Sequence, residues 1–270
     1  MADGRRHNGI PLIVPRSEDP HRNTLVATLA SGARVLSLVG AGGKKTTMYA
    51  LAKALPGRVA LSSSSHMAAY DRQVVDGVIT LAPDALALPK APDARIVAYG
   101  GAVECPARIC GLTFAQIDRL VADASFDFVL LKADGARARW IKAPAAYEPV
   151  IAPATDRVLY LLSVQVIGAP LDERIAHRPE RFAAATGAAL GAPLTDAHLA
   201  ALLSSPSGAL QGLGQAELLP IINMVDGEAW QRVAREVARL ALARTTRFDR
   251  VVLANMKAAR IVEVVRRADL

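Results

Sequence analysis

The feature that most constrains this chain is a glycine- and lysine-rich segment between a short apolar run and a helical pattern. Residues 34–39 form the apolar run, residues 40–47 read GAGGKKTT, and apolar residues then recur at helical spacing up to Pro56. Glycines let main-chain amides approach an anion closely, and the first turn of a helix adds unpaired N–H groups and a positive dipole end. This glycine–lysine loop (residues 40–47) therefore predicts a phosphate-binding site.

The loop departs from the strict GxxxxGK[ST] pattern, because Leu38 stands where a glycine is needed and Lys45 stands where Ser or Thr is usual. The result is a shorter GxxGK loop. Lys44 is expected to contact the β- and γ-phosphates, and the hydroxyl of Thr46 or Thr47 is expected to hold Mg²⁺. The other loop positions expected to contact the nucleotide are Gly40, Ala41, Gly42, Gly43 and Lys45. A glycine-rich turn without a ligand is the alternative.

Strand-like and helical patterns alternate along most of the chain. Strand-like runs occupy residues 58–61, 128–131, 158–162, 218–223 and 251–253. Hydrophobic residues make up 52% of the chain and aromatic residues only 4%, which suits a buried sheet built from Ala, Val, Leu and Ile. The alternation predicts an α/β fold of the P-loop NTPase-like three-layer type with a mostly parallel sheet.

The predicted domain organisation is simple. Residues 1–23 are polar and are expected to form a flexible N-terminal arm, and residues 24–270 are expected to form the P-loop NTPase-like domain. Two short helical patterns broken by Gly and Pro predict a small helical insertion at about residues 163–213.

The composition excludes several classes of partner. The sequence contains no apolar run of the roughly 18 residues that a membrane helix needs, and its start, MADGRRHNG, lacks a secretory leader. The net charge of +7 comes from arginines spread along the chain without interleaved aromatic residues. We therefore expect a cytoplasmic protein without a membrane or nucleic-acid partner.

An aspartate follows the second of the strongly apolar runs. Asp134 lies just beyond residues 128–131, and a carboxylate at the end of a buried strand is what a second Mg²⁺ contact requires. Lys44 and Asp134 are therefore the predicted catalytic residues, and Thr46 and Asp134 the predicted metal ligands. An Asp that caps an ordinary turn is the alternative.

Asn223 and Asp226 follow a later strand and resemble in spacing the NKxD loop that binds a guanine base. Met224 replaces the lysine of that motif, so ATP and GTP both stay open as the nucleotide. A plain Asn–Asp turn is as good an interpretation.

Two polar clusters are candidate contacts for a second substrate. Ser64, Ser65 and His66 follow the strand-like run at 58–61 and would face the crevice at the carboxyl ends of parallel strands. Arg137, Arg139 and Lys142 follow Asp134 and suit an anionic substrate or a transferring phosphate. The alternatives are a capped polar loop and solvent-facing charge, respectively.

Five segments in order make the chain similar to a known family. GAGGKKTT, SSSSHM, KADGARARWIKAPAAYEPVI, HRPERFAAATG and IINMVD resemble the corresponding motifs of the YqeC-type proteins, over roughly residues 25–260. The resemblance implies a nucleotide-binding accessory protein for the maturation of a molybdenum hydroxylase, or for insertion of its cofactor, with a link to selenium. The implied partners are the nucleotide and the hydroxylase apoenzyme or its cofactor.

Three departures from the family pattern affect the predicted chemistry. Lys45 replaces a hydroxyl residue, Lys132 replaces an acidic residue before Ala-Asp-Gly, and Met224 replaces a lysine. Each departure removes a group that a metal or a base would use, so an NTPase with weak turnover is expected. Two other functions stay open: a small-molecule kinase or ligase that acts on an anionic substrate, and a nucleotide-sensing chaperone without turnover.

Overall fold

The computed structural model describes residues 19–85, 87–105 and 108–270, with only the main chain of Glu104 and Cys105. Most of the predicted N-terminal arm, residues 1–18, lies outside the described residues. The first helix begins at Pro20, with Asp19 as its N-cap, so residues 20–23 belong to a helix and not to the predicted arm.

Six α-helices are described, namely α1 (Pro20–Leu29), α2 (Lys44–Ala54), α3 (Phe114–Ala122), α4 (Pro179–Thr186), α5 (Asp196–Ser204) and α6 (Glu228–Arg244). The first eight strands are β1 (Val35–Gly40), β2 (Val59–Ser63), β3 (Met67–Ala68), β4 (Gly77–Thr80), β5 (Ile96–Gly100), β6 (Val103–Cys105), β7 (Arg108–Ile109) and β8 (Phe128–Lys132). The remaining strands are β9 (Ile141–Lys142), β10 (Arg157–Ser163), β11 (Ala176–His177), β12 (Glu217–Asn223), β13 (Arg250–Asn255) and β14 (Arg260–Arg266). Single 3₁₀ turns occupy Val164–Val166, Met256–Ala258 and Arg267–Asp269.

A nine-stranded sheet in the order β14-β13-β12-β10-β1-β8-β2-β5-β4 forms the centre of the molecule. Its neighbouring strands are parallel except β13 and β14, which are antiparallel. β1 lies between β10 and β8, so the segments that follow these three strands meet at one edge. In open α/β sheets, ligands bind in the crevice at this carboxyl edge.

The helices cover both faces of the sheet, because successive side chains of each buried strand point to opposite sides. On one face, Leu36 and Leu38 of β1 pack in a cluster with α1 and α2. On the other face, Val39 of β1 packs in a cluster with α4, α5 and α6, and Val35 packs with α3. These three layers confirm the predicted P-loop NTPase-like α/β fold.

The segment predicted as a helical insertion, residues 163–213, contains α4 and α5 as two short helices. Its buried side chains, among them Phe182 and Leu199, belong to the same hydrophobic cluster as Val237 of α6. The segment therefore shares the core of the sheet.

Two strands of the main sheet lie where the sequence pattern is weak. β4 and β5 come from the Pro-rich middle of the chain, and β14 adds the antiparallel edge. The pairing of β5 with β2 and β4 joins segments about 20 or more residues apart, a tertiary effect that local pattern does not carry, whereas β14 pairs with β13 just before it. Among the described residues, no helix combines the length and the apolar composition required to cross a membrane.

Candidate functional site

The glycine–lysine loop joins the end of β1 to the start of α2 at the carboxyl edge of the sheet. Gly40, Gly42 and Gly43 have φ angles of 86°, 76° and 126°, which L side chains rarely adopt. A Cβ on Gly42 would lie 2.6 Å from the carbonyl oxygen of Trp140. The glycines are therefore required both by the backbone conformation and by the close approach of a neighbouring segment.

The main-chain amides of the loop fall into two groups. The amides of Gly40, Ala41 and Gly42 donate to Asp134 Oδ2 (2.9 Å), Leu161 O (2.8 Å) and Arg139 O (3.1 Å). The next four amides, of residues 43–46, have no acceptor within the described residues. They form the positive end of α2, which has no side-chain cap.

Lys44 and Asp134 form a buried ion pair beside these amides. Lys44 Nζ lies 2.9 Å from Asp134 Oδ1, both side chains are almost fully buried, and the ammonium also donates to the carbonyl of Gly40. Burial lowers the pKa of Lys44, and the charge of Asp134 opposes that shift. The two predicted catalytic residues are thus in direct contact.

The ion pair continues into a chain of alternating charges behind the loop. Lys142 Nζ contacts Asp134 Oδ2 (3.0 Å), Glu148 Oε2 (2.8 Å) and the carbonyl oxygen of Gly135 (2.7 Å). Glu148 also accepts hydrogen bonds from the guanidinium of Arg178 and from the amide of Ala145 (3.2 Å). Because the side chain of Lys142 is 1% exposed and its three donors are in use, it positions Asp134 and does not face the cavity.

The charges behind the loop shift the pKa values of Glu148 and of the neighbouring His177. Burial alone would raise the pKa of Glu148, but hydrogen bonding and charge from Lys142, with donors from Ala145 and Arg178, lower it to about 2. Burial and the nearby charges of Arg178 and Lys142 lower the pKa of His177 to about 4. Glu148 is therefore ionised and His177 neutral at neutral pH.

Lys132, at the end of β8, approaches the site from a second side. Its ammonium donates to Ser65 Oγ (3.0 Å) and to the carbonyl oxygen of His66 (2.9 Å), so it contacts the serine segment and not Asp134. Burial and the charge of Lys44 lower its pKa to about 8. Ser64 Oγ donates to the carbonyl of Val150, which fixes the serine segment across the crevice.

These groups surround a cavity of about 940 Å³. Twelve of the residues predicted from the sequence line it, namely Ala41, Gly42, Gly43, Lys44, Lys45, Thr46, Ser64, Ser65, His66, Asp134, Arg137 and Arg139. The cationic side chains on the lining also include Arg108, Lys132 and Arg178, against the two carboxylates Asp134 and Glu148. The cavity therefore favours an anionic ligand.

Asn223 and Asp226 lie beside the loop but not on the cavity lining. Asn223 donates to the carbonyl oxygen of Gly42 (2.8 Å) and accepts from the amide of Met256 (2.9 Å), so it fastens the glycine–lysine loop to the segment after β13. Asp226 is exposed and accepts from the side-chain amides of Gln165 (2.8 Å) and Asn255. Met224, with a φ of 62°, lines the cavity between them.

The predicted metal ligands do not form a ready coordination set. Thr46 is exposed on the first turn of α2, whereas Thr47 is fully buried, is not on the cavity lining, and its hydroxyl has no hydrogen-bond partner within the described chain. Asp134 Oδ2 contacts Lys142 and accepts from the Gly40 amide, whereas Oδ1 is buried and forms an ion pair with Lys44 but no hydrogen bond within the described residues. In the part of the chain that the structure describes, no three His, Cys, Asp or Glu residues cluster as a metal site would require.

The sequence patterns missed Glu148, Arg178 and Tyr147 as site residues. Arg178 has a φ of 65°, precedes Pro179 at the start of α4, and lies over the Tyr147 ring at 5.9 Å from its centroid. Pro179 is typical of the first turn of a helix, but nothing in the local sequence indicates that Arg178 contacts Glu148. A long-range ion pair of this kind is visible only in three dimensions.

Fold and site together define a P-loop NTPase-like α/β protein with a shortened loop. The chain belongs to the YqeC family, since the family model described as YqeC protein matches residues 36–180. One curated relative is "Uncharacterized protein YqeC" of Escherichia coli (strain K12). It is 30% identical over 205 residues, which cover 72% of this chain and 77% of that protein.

Proposed function

We propose that this chain binds a nucleoside triphosphate, ATP or GTP, with the phosphates on the glycine–lysine loop. The observation that carries the proposal is the run of four main-chain amides, residues 43–46, without acceptors among the described residues at the wall of a basic cavity. Unpaired amides at a helix N-terminus attract anions both by hydrogen bonding and by the helix dipole. The cavity volume of about 940 Å³ is within the range of small-molecule and cofactor sites.

Lys44 supplies the mobile charge of the proposed site. Its ammonium contacts Asp134 and the Gly40 carbonyl, and it would move to the β- and γ-phosphates when they bind. Asp134 would then keep Lys142 at 3.0 Å as its counter-charge. Thr46 and Asp134 stay the sequence-based prediction for Mg²⁺ ligands, although the contacts of Asp134 disfavour that role.

Isothermal titration of the full chain with ATP and with GTP tests the proposal. We expect saturable binding of at least one of the two nucleotides. If both bind, each should compete with the other for the same site. Lys53→Met is a control that should bind like the wild type, because Lys53 is an exposed lysine of α2 that lies outside the cavity lining. Absence of binding at millimolar concentrations of both nucleotides would refute the proposal.

For the physiological role, we propose an accessory step in the maturation of a molybdenum hydroxylase, or in insertion of its cofactor, with a link to selenium. This role is supported by the motif resemblance and by membership of the YqeC family. Deleting the gene and measuring molybdenum hydroxylase activity and metal content tests the role. Unchanged activity and metal content in the deletion strain would contradict it.

A small-molecule kinase or ligase is a second candidate, favoured by the basic end of the cavity. Arg137, Arg139 and Arg178 line the cavity beyond the loop and would suit an anionic acceptor. Formation of nucleoside diphosphate and of free phosphate, measured with and without candidate carboxylate and phosphate acceptors, distinguishes these activities. Hydrolysis yields both products without an acceptor. A kinase yields the diphosphate only with the acceptor, which takes up the phosphoryl group, and a ligase releases phosphate only with the acceptor.

Binding without turnover is a third candidate, favoured by the contacts of Asp134. Its carboxylate forms ion pairs with Lys44 and Lys142 and accepts from the Gly40 amide, so it would be a weak base. Binding of nucleotide with no phosphate release under any condition would support a nucleotide sensor, whereas steady turnover would eliminate it.

A further inference from the structure

We propose that lysine ammonium groups, with Lys132 foremost, neutralise the bound triphosphate in this chain, so that the nucleotide binds without a divalent cation. The inference rests on the proposed nucleotide site and concerns the groups that balance the negative charge of the triphosphate. Three separate features of the described residues support it.

The first feature is the position that a metal-binding hydroxyl would need. In a GK[ST] loop, the residue after the lysine carries the hydroxyl that reaches Mg²⁺. Here that residue is Lys45, whose ammonium donates to the carbonyl oxygen of Ala69 at 2.7 Å. Of the two threonines that follow, Thr47 is buried away from the cavity lining, whereas Thr46 lies on the lining one position beyond the place of the usual hydroxyl.

The second feature is the occupancy of the two carboxylates that line the cavity. Mg²⁺ requires oxygen ligands in near-octahedral geometry. Asp134 Oδ2 contacts Lys142 and accepts from the Gly40 amide, and Glu148 Oε2 accepts from Lys142, Arg178 and the Ala145 amide. Asp134 Oδ1 forms an ion pair with Lys44 but no hydrogen bond within the described residues. A divalent cation that took an oxygen from Asp134 would be placed next to the buried ammonium of Lys142, with an unfavourable like-charge contact.

The third feature is Lys132, which brings a second lysine ammonium to the cavity lining beside Lys44. Its ammonium has three donors, and two of them bind Ser65 Oγ and the His66 carbonyl. Within the described residues this ammonium has no third acceptor, and Lys132 is one of the residues that line the cavity. Lys44 and Lys132 therefore provide two ammonium groups where a metal-dependent site has one lysine and one cation.

The experiment is a fluorescence titration of the full chain with N-methylanthraniloyl ATP and GTP, in EDTA and again in excess Mg²⁺. We expect the two dissociation constants for each nucleotide to agree within about threefold. Lys132→Met is expected to weaken binding in EDTA by about tenfold, as loss of one charged hydrogen bond implies. Lys53→Met, on the exposed part of α2, is the matched lysine control and should bind like the wild type.

A double variant tests the inference from the opposite direction, because it should make nucleotide binding depend on Mg²⁺. Lys45→Thr combined with Lys132→Asp introduces a hydroxyl directly after Lys44 and a carboxylate on the cavity lining, both of which a metal would use. We expect this double variant to bind at least tenfold more tightly in Mg²⁺ than in EDTA.

The outcomes are distinguishable. If wild type binds nucleotide at least tenfold more tightly in Mg²⁺ than in EDTA, the inference is wrong and the proposed nucleotide site stands. If wild type binds in neither condition, the proposed function itself is wrong. If Lys132→Met binds in EDTA like the wild type, Lys132 does not supply the charge. The comparison of wild type in two buffers needs no variant, so a folding defect in a variant cannot obscure it.

Discussion

The glycine–lysine loop and the 223–226 segment lie side by side at the same edge of the sheet, but they hold their charges in opposite ways. At the loop, Asp134 is buried and is held by two lysines and a main-chain amide. In the 223–226 segment, Asp226 is exposed and is held by two neutral side-chain amides. Interactions between charges are strong in a buried environment and weak in solvent. The phosphate end of the proposed site is therefore preorganised, whereas the end expected to hold the base is not.

The largest expected effect in this comparison is on folding stability at the loop. Lys142→Met removes the shared counter-charge of Asp134 and Glu148, and breaking a buried ion pair costs about 3–5 kcal/mol. The free energy of unfolding, measured by urea denaturation, should fall by about that amount. Lys257→Met, at an exposed lysine, is the control. A loss below about 1 kcal/mol would mean that the buried charge chain does not stabilise the fold.

The next effect is on ligand affinity at the same end. Lys44→Ala removes the ammonium proposed to bind the phosphates, and a hydrogen bond to a charged group contributes about 1.5–3 kcal/mol. We expect affinity for ATP and GTP to fall by about 10- to 100-fold by isothermal titration. Circular dichroism should show that the variant is folded. Equal affinity in a folded Lys44→Ala variant would place the phosphates elsewhere.

A smaller effect concerns pH. The folded-state pKa of Glu148, about 2, is below its ordinary value of 4.5, so its contribution to stability is present above about pH 4.5 and is lost as the pH falls toward about 2. Glu148→Gln should cost about 1.5 kcal/mol at pH 7 and flatten the pH dependence of unfolding in that window. Urea denaturation between pH 2 and pH 7 checks this, and an unchanged acid slope would contradict it.

The smallest effect is expected in the 223–226 segment. Asp226→Asn should change the free energy of unfolding by no more than about 0.5 kcal/mol, because exposed substitutions seldom do more. It should also leave the ratio of ATP to GTP affinity within about threefold. A collapse of GTP affinity alone would show that Asp226 reads a guanine base after all, and would restore the interpretation drawn from its spacing to Asn223.

The comparison also explains what the sequence could predict. The loop, Asp134 and the main parallel strands are encoded by local patterns: glycines before a helix, a carboxylate after an apolar run, and alternating strands and helices. α6 is encoded in the same way, because its apolar positions recur at helical spacing without a breaker.

The contacts that organise the site could not be predicted in the same way. From the sequence, Lys142 was predicted with Arg137 and Arg139 as a contact for an anionic substrate, with solvent-facing charge as the alternative. Only the fold shows that it is buried between Asp134 and Glu148. Arg178 reads as the residue before a helix, but its guanidinium reaches Glu148 across 30 residues of sequence. Burial and long-range charge pairing are properties of the tertiary structure, so a single sequence does not state them.

The short parallel pair β9 and β11 has a mechanical consequence. Its register places Lys142 opposite His177, immediately before Arg178 and the start of α4. Lys142 is thus held at two points. Its side chain contacts Asp134, and its main chain pairs with β11, which leads into α4. A displacement of α4 would therefore reach Asp134 through His177 and Lys142, without passing through the central sheet.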